Sequence, residues 1–146
     1  MSAIVMENII ARLKAQVTAL HGRVEDAGEL ARLIAAGTAP RQVPAGFVVP
    51  IGEDAEPAVD MSGTLRQRVT ETIGIVLVNS VAGDASGAKS RAPLDLINDA
   101  VKTALVGWEP APGCDLIEFR RSRLVGLQAG AVFIQTDVLT RWYLRA

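Results

Sequence analysis

The 146-residue sequence predicts an α+β fold: an antiparallel or mixed β-sheet of about four strands, with helices packed mainly on one face. Three patterns carry that expectation. From Ala131 to Arg145 the residues alternate as on a strand. Val132, Ile134, Thr136, Val138, Thr140, Trp142 and Leu144 share one side; Gln135, Asp137, Arg141 and Arg145 share the other. Phe133, Leu139 and Tyr143 depart from the alternation, and at the helical period the same residues give no stripe. Leu94, Ile97, Val101, Ala104, Leu105 and Trp108 behave in the opposite way and form a clean helical stripe. Lastly, the order helix, helix, strand, strand, helix, strand, strand sets runs of antiparallel strands beside helices.

Each element has a local reason. Met6, Ile10, Leu13, Val17 and Leu20 recur at helical spacing, with Glu7, Arg12, Lys14 and Gln16 opposite. This predicts a helix from Ser2 or Ile4 to Leu20, stopped at His21-Gly22. A second helix is expected over Glu25 to Ala36, where Ala27, Leu30, Ala31 and Ile34 share a face. Asp26 caps its start or sits in its first turn, and Gly37 ends it. Thr38 to Pro44 holds two prolines and reads as extended chain or turn. Gly46 to Ile51 is a short strand, confined by Pro50 to an edge or a strand end, because proline cannot donate to a ladder.

Gly52 to Gly63 carries Glu53, Asp54, Glu56, Pro57 and Asp60 and is expected to be a solvent-exposed loop. Thr64 to Asn79 reads as a long strand. Its polar first half is expected to project from the body, and its apolar second half to run through the core. A small polar loop, Ala82 to Lys89, leads to a helix over about Ala92 to Val106, with Pro93 in its first turn and Gly107 as its stop. Glu109 to Gly113 is a rigid turn. Cys114 to Arg121 and Leu124 to Gln128 are strand-like, and Ala129-Gly130 connects them to the final strand.

Length and composition bound the function. The length suits one domain over residues 1–146, burying roughly two-thirds of its unfolded surface without a metal or disulfide. Fifteen basic residues nearly cancel sixteen acidic ones, so no global field draws in nucleic acid or an anionic membrane. The single cysteine, Cys114, excludes an intrachain disulfide and suits a reducing compartment. Glu7, Arg12 and Lys14 interrupt the apolar run an export signal needs. The run Ile73 to Val78 is far shorter than the roughly 20 residues of a membrane helix. Folding in a cytoplasm is expected.

No catalytic constellation emerges. Gly83 to Ser90 resembles a phosphate loop at first sight, but Gly83 and Gly87 enclose too few residues and Ala88 separates Gly87 from Lys89. His21 is the only histidine and has no ligand partners nearby in sequence. Cys114 has no base beside it, so a passive thiol is expected. Asp54, Glu56 and Asp60 lack the glycine and terminal glutamate of a calcium loop. Trp108 and Trp142 are expected in the core. Arg120, Arg121 and Arg123 form a basic cluster to which Arg66 and Arg68 are expected to add. The cluster is either solvated surface or a site for acidic side chains of a neighbouring subunit or partner. These five arginines, with Glu53 and Asp54, are the candidate interaction residues.

The assembled pattern resembles the tail terminator proteins of tailed bacteriophages, in particular the small tail proteins of Mu-like and other contractile-tailed phages. The resemblance covers nearly the whole chain. It rests on the amphipathic N-terminal helix, the Phe47-Val48-Val49-Pro50 strand, the long strand opening Thr64-Leu65-Arg66-Gln67-Arg68, and Arg91-Ala92-Pro93-Leu94 opening a helix that ends Leu105-Val106-Gly107-Trp108-Glu109-Pro110. Gly126-Leu127 and a last strand ending Trp142-Tyr143 complete it. Gly107-Trp108-Glu109-Pro110 is its most distinctive step.

The resemblance implies a structural virion protein of the tail and neck, assembled in the host cytoplasm. It implies a homo-oligomeric ring, a hexamer, that caps the tail tube, ends tube growth and joins the tail to the neck connector. In contractile tails the ring also meets the sheath protein. No catalytic site, cofactor, metal, membrane contact or direct recognition of nucleic-acid sequence is implied. Two other readings stand beside it: another neck, connector or head-completion protein, and, with little in the sequence to favour it, a small enzyme or ligand-binding domain.

Overall fold

The structure, a computed structural model, describes residues 1–61, 63–80, 88–128 and 130–146. In chain order the elements are α1 (Ser2–Gln16), a single 3₁₀ turn (Thr18–Leu20), β1 (Val24–Asp26), α2 (Ala27–Ala35), β2 (Ala45–Ala55), β3 (Val59–Met61), β4 (Thr64–Ser80), α3 (Ala88–Leu105), β5 (Glu118–Gln128) and β6 (Ala131–Arg145). The sheet runs β1-β2-β4-β6-β5, with β3 also paired to β4. β1 and β2 are parallel, and every other pair is antiparallel. The fold is α+β around a mixed sheet, as the sequence predicts, with six strands instead of about four.

β4 and β6 form the spine. They pair without a register break from Arg66 opposite Arg145 to Ser80 opposite Ala131. Their alternations are therefore in phase, and each face of the sheet is apolar over the same stretch. On one face Ile73, Ile75 and Leu77 meet Val132, Ile134 and Val138. α1 covers this face with Val5, Ile9 and Leu13, and α3 with Leu94, Ile97, Val101, Ala104 and Leu105. On the other face Phe47, Val76, Val78, Ala131 and Phe133 form a smaller cluster beneath Leu30 and Leu33 of α2. Helices thus lie mainly on one face, with α2 alone on the other. Phe133, an exception to the alternation, faces that second cluster.

Hydrogen bonds fix α1 to α3. Arg12 Nε donates to the Ala104 carbonyl at 2.5 Å, near the carbonyl-rich end of α3, and its guanidinium lies 4.6 Å from the Trp108 ring centroid. Asn8 Nδ2 donates to the Pro110 carbonyl at 2.7 Å.

Several expected boundaries move. α1 stops at Gln16, because Val17 leaves helical geometry, and a 3₁₀ turn carries the chain to His21, where φ is 51°. The buried line of α1 is Val5, Ile9 and Leu13, with Met6 and Ile10 only partly covered beside it. Val24 to Asp26 is a strand, pairing with Gly46 to Val48, so the second helix starts at Ala27. Asp26 caps it by accepting the Glu29 amide at 3.1 Å. α2 packs through Leu30 and Leu33 and leaves Ile34 59% exposed.

The largest correction concerns the acidic stretch. It is exposed from Gly52 to Asp60, but it is no loop over Gly52 to Gly63: β2 runs on to Ala55 and β3 occupies Val59–Met61. Pairing with β4 holds both strands, from Gly52 opposite Thr72 to Ala55 opposite Val69, and from Val59 opposite Arg66 to Met61 opposite Thr64. Pro50 sits past the end of β1, where the outer side of β2 is unpaired, so the edge it predicts holds locally. α3 begins at Ala88, which places Pro93 inside the helix beyond its first turn. Gly107 ends the α3 segment with φ at 81°. Of the loop expected at Ala82 to Lys89, residues 82–87, with the Gly83 to Gly87 pattern, lie outside the described residues, and Ala88 and Lys89 open α3.

Ile75 is fully buried between the sheet and its helices, whereas Leu116 is 57% exposed. Ile75→Ala lowers the unfolding free energy by about 2–5 kcal/mol in urea titrations, and Leu116→Ala changes it by less than about 0.5 kcal/mol.

Candidate interaction surface

The sheet outgrows its helical cover. β4 is exposed or half-buried from Thr64 to Arg68 and buried from Glu71 to Val78. Beside its exposed half run the end of β2, β3 and Trp142 to Arg145 of β6. Together these make an arm that projects from the body, as the polarity of Thr64 to Thr70 predicts.

Arg66 and Arg68 belong to this arm. The Arg66 guanidinium lies 3.8 Å from the Tyr143 ring centroid. Arg68 Nη2 pairs with Asp115 at 3.0 Å, and that hydrogen bond holds the guanidinium above its ordinary pKa. With Glu56, Pro57, Val59 and Tyr143 the two arginines line a cleft of about 290 Å³.

Arg120, Arg121 and Arg123 lie on β5, the outer strand at the other side of the sheet. The expected union of the two arginine groups does not form. Arg121 is opposite Asp137, which is opposite Gly74, and Arg68 lies six residues along β4 from Gly74. At about 3.4 Å per residue the groups are on the order of 20 Å apart.

The β5 arginines also differ among themselves. Arg121 Nε donates to Asp137 Oδ2 at 2.8 Å, and Gln135 Nε2 donates to Asp137 Oδ1 at 2.8 Å. Asp137 is only 1% exposed, so the polar side of β6 is not simply solvated; these two donors satisfy a buried carboxylate. Arg120 and Arg123 are exposed and form no ion pair among the described residues. Glu53 and Asp54, exposed on β2, likewise form none. β5 further exposes Phe119, Leu124 and Val125, and the ammonium of Lys102 lies 4.8 Å from the Phe119 ring centroid.

Two polar groupings at the border of the core escape sequence reasoning. Asn98 of α3, Ser122 of β5 and Thr136 of β6 close a ring. Thr136 Oγ1 donates to Asn98 Oδ1 at 2.5 Å, and Asn98 Nδ2 donates to Ser122 Oγ at 3.1 Å. The Ser122 and Thr136 hydroxyls are 2.6 Å apart; as the Thr136 proton is committed to Asn98, Ser122 donates. Glu71, 2% exposed, accepts from the Ser2 hydroxyl at 2.5 Å and from Trp142 Nε1 at 3.1 Å, where the arm leaves the body. The one available signal was the threonine at 136 and at 140 on an otherwise apolar strand face.

Among the described residues no group of histidine, cysteine or carboxylate side chains could hold a metal ion. No described helix is long and apolar enough to cross a membrane. Cys114 is buried, and burial, reinforced by the charge of Glu71, pushes its thiol pKa up; a hydrogen bond with Thr140 opposes the shift. An open groove of about 810 Å³ runs beneath α2, where Arg32 and Glu29 pair at 2.6 Å. That hydrogen bond lowers the pKa of the Glu29 carboxyl.

Fold and surface together define a class: a small mixed-sheet protein with exposed charges and apolar side chains along its strand edges and arm. The chain belongs to the phage tail terminator protein family, whose model matches residues 1–146. It is therefore a structural protein of the bacteriophage virion, located in the tail. Its fold is similar to that of a chain in the virion of a native gene transfer agent particle, with a TM-score of 0.54 and 20% identity, covering 93% of this chain and 92% of that one. No curated protein matches the chain.

Two outcomes follow from the buried groups. Asn98→Ala removes both amide hydrogen bonds, leaves the buried Thr136 hydroxyl with Ser122 as its one remaining side-chain partner, and costs about 1–3 kcal/mol of unfolding free energy in urea titrations. The raised pKa of Cys114 means the folded chain keeps this proton to higher pH than the unfolded chain. Its contribution is complete below the ordinary thiol pKa and is lost as pH rises through the folded value. Urea midpoints of the wild type fall above about pH 8.5, and Cys114→Ala removes that part of the slope.

Proposed function

We propose that this protein ends the phage tail as a homo-oligomeric ring, a hexamer, seated on the last turn of the tail tube. There it stops tube growth and offers its opposite side to the neck connector. One terminator domain per subunit, spanning residues 1–146, would build the ring. The observation that carries this reading is the exposed arm. A sheet that continues past its own core, with Thr64, Leu65, Glu53 to Ala55 and Tyr143 to Arg145 exposed and Arg66 to Arg68 half-buried, offers surface that a second subunit can cover. Family membership supports a place at the end of the tail. The near balance of acidic and basic residues suits contacts of alternating sign, which orient subunits without long-range repulsion.

Native mass spectrometry and negative-stain imaging test the proposal. The expected result is a six-subunit ring that caps one end of purified tail tubes, and tubes of uncontrolled length when the protein is withheld from assembly. A chain that stays monomeric beside tail tubes, or binds only the head-side adaptor, overturns it.

A further inference from the structure

Two edges of the sheet carry opposite, uncompensated charge. One is β5, exposed from Glu118 to Val125 and covered by no further strand among the described residues. Its Arg121 is committed to Asp137, whereas Arg120 and Arg123 pair with nothing among the described residues. The other is the outer side of β2 beyond Val48, where β1 ends. It presents Glu53 and Asp54, also without an ion pair among the described residues. Each edge adds apolar surface: Phe119, Leu124 and Val125 on β5, and Ile51, 45% exposed, at the β2 bulge.

β4 and β6 separate the two edges, which at about 4.8 Å per strand sets them roughly 14 Å apart. They lie on opposite sides of one sheet, so they cannot satisfy each other within a subunit. We propose that the β5 edge of one subunit docks on the β2 edge of the next, with Arg120 and Arg123 facing Glu53 and Asp54. The occupant of each edge is a second copy of this chain. The inference deepens the ring reading and rests on it.

The geometry defines the type of contact. Two different patches on opposite sides give a head-to-tail contact, which repeats around a ring when the rotation closes and cannot end as a two-fold dimer. Bulges interrupt β5 between Phe119 and Arg121 and between Leu124 and Gly126. Bulges and charges on an edge strand work against an extended backbone ladder with a neighbour. Side chains therefore carry the contact: apolar residues supply area, and the two charge pairs set direction and register.

Charge exchange tests the assignment. The double variants Arg120→Glu/Arg123→Glu and Glu53→Arg/Asp54→Arg alter exposed side chains and keep the wild-type circular dichroism spectrum and melting curve. Each alone places like charges across every interface and is monomeric by native mass spectrometry. Mixed in equal amounts they alternate, every interface becomes complementary again, and rings with an even number of subunits return. The milder Arg120→Gln/Arg123→Gln variant raises the protein concentration needed for rings by about tenfold, which serves as the readout should a reversal impair folding. A ring unchanged by Arg120→Glu/Arg123→Glu overturns the edge assignment and leaves the terminator role standing. So does an equal mixture that remains monomeric. A wild type that never forms rings, in solution or on tubes, overturns the ring reading itself.

Discussion

The register of β4 on β6 is the constraint on which the rest of the structure depends. One ladder runs from the arm to the far end of the body without a break. Because side chains alternate on both strands, this single alignment decides which residues face α1 and α3 and which face α2. Slipping it by one residue would take Ile73, Ile75 and Leu77 off the face that α1 and α3 cover and turn Thr72 and Val76 toward those helices. The helices recognise the sheet only in this phase. The arm inherits its partners from the same alignment, since Arg66 and Arg68 meet Arg145 and Tyr143 as a direct consequence of where Val78 meets Phe133.

Body and arm then diverge through burial, not through backbone. Where helices cover the sheet, its polar side chains are drawn into closed arrangements: the ring of Asn98, Ser122 and Thr136, and the carboxylate of Glu71 between Ser2 and Trp142. Such groups contribute little net energy when paired and cost much when stranded, so they fix the seating of α1 and α3 on the strands. Past Glu71 the cover ends and charges meet water. The division suits a structural component of the tail, with a packed centre and a periphery rich in exposed charged groups.

Elements with long patterns of their own were legible in the sequence. β6 alternates over many residues and the stripe of α3 is unambiguous, so their existence and facing follow from periodicity, whereas β4 is legible from its length and its polar and apolar halves. β1 and β3 are three residues each and carry no pattern; only Gly46 to Val48 and Thr64 to Arg66 make strands of them. Gly52-Glu53-Asp54-Ala55 reads as a loop because both its faces are wet, and its strand geometry comes from the neighbouring β4. The interaction residues were legible as a set of charges but not as places. Separating Arg66 and Arg68 from the β5 arginines, and removing Arg121 from the unpaired group, required register and the buried Asp137. The ring of Asn98, Ser122 and Thr136 joins three distant segments, and no spacing rule connects them.

The unbroken ladder also has a mechanical meaning. A pull on the arm along the strand direction acts across hydrogen bonds that lie perpendicular to it, so they resist together in shear instead of opening one after another like a zip. Loads reaching the tip are passed straight into the buried half of the same two strands. The sheet resists load best along this axis, with the β4–β6 ladder as its longest member and β2 and β5 paired alongside.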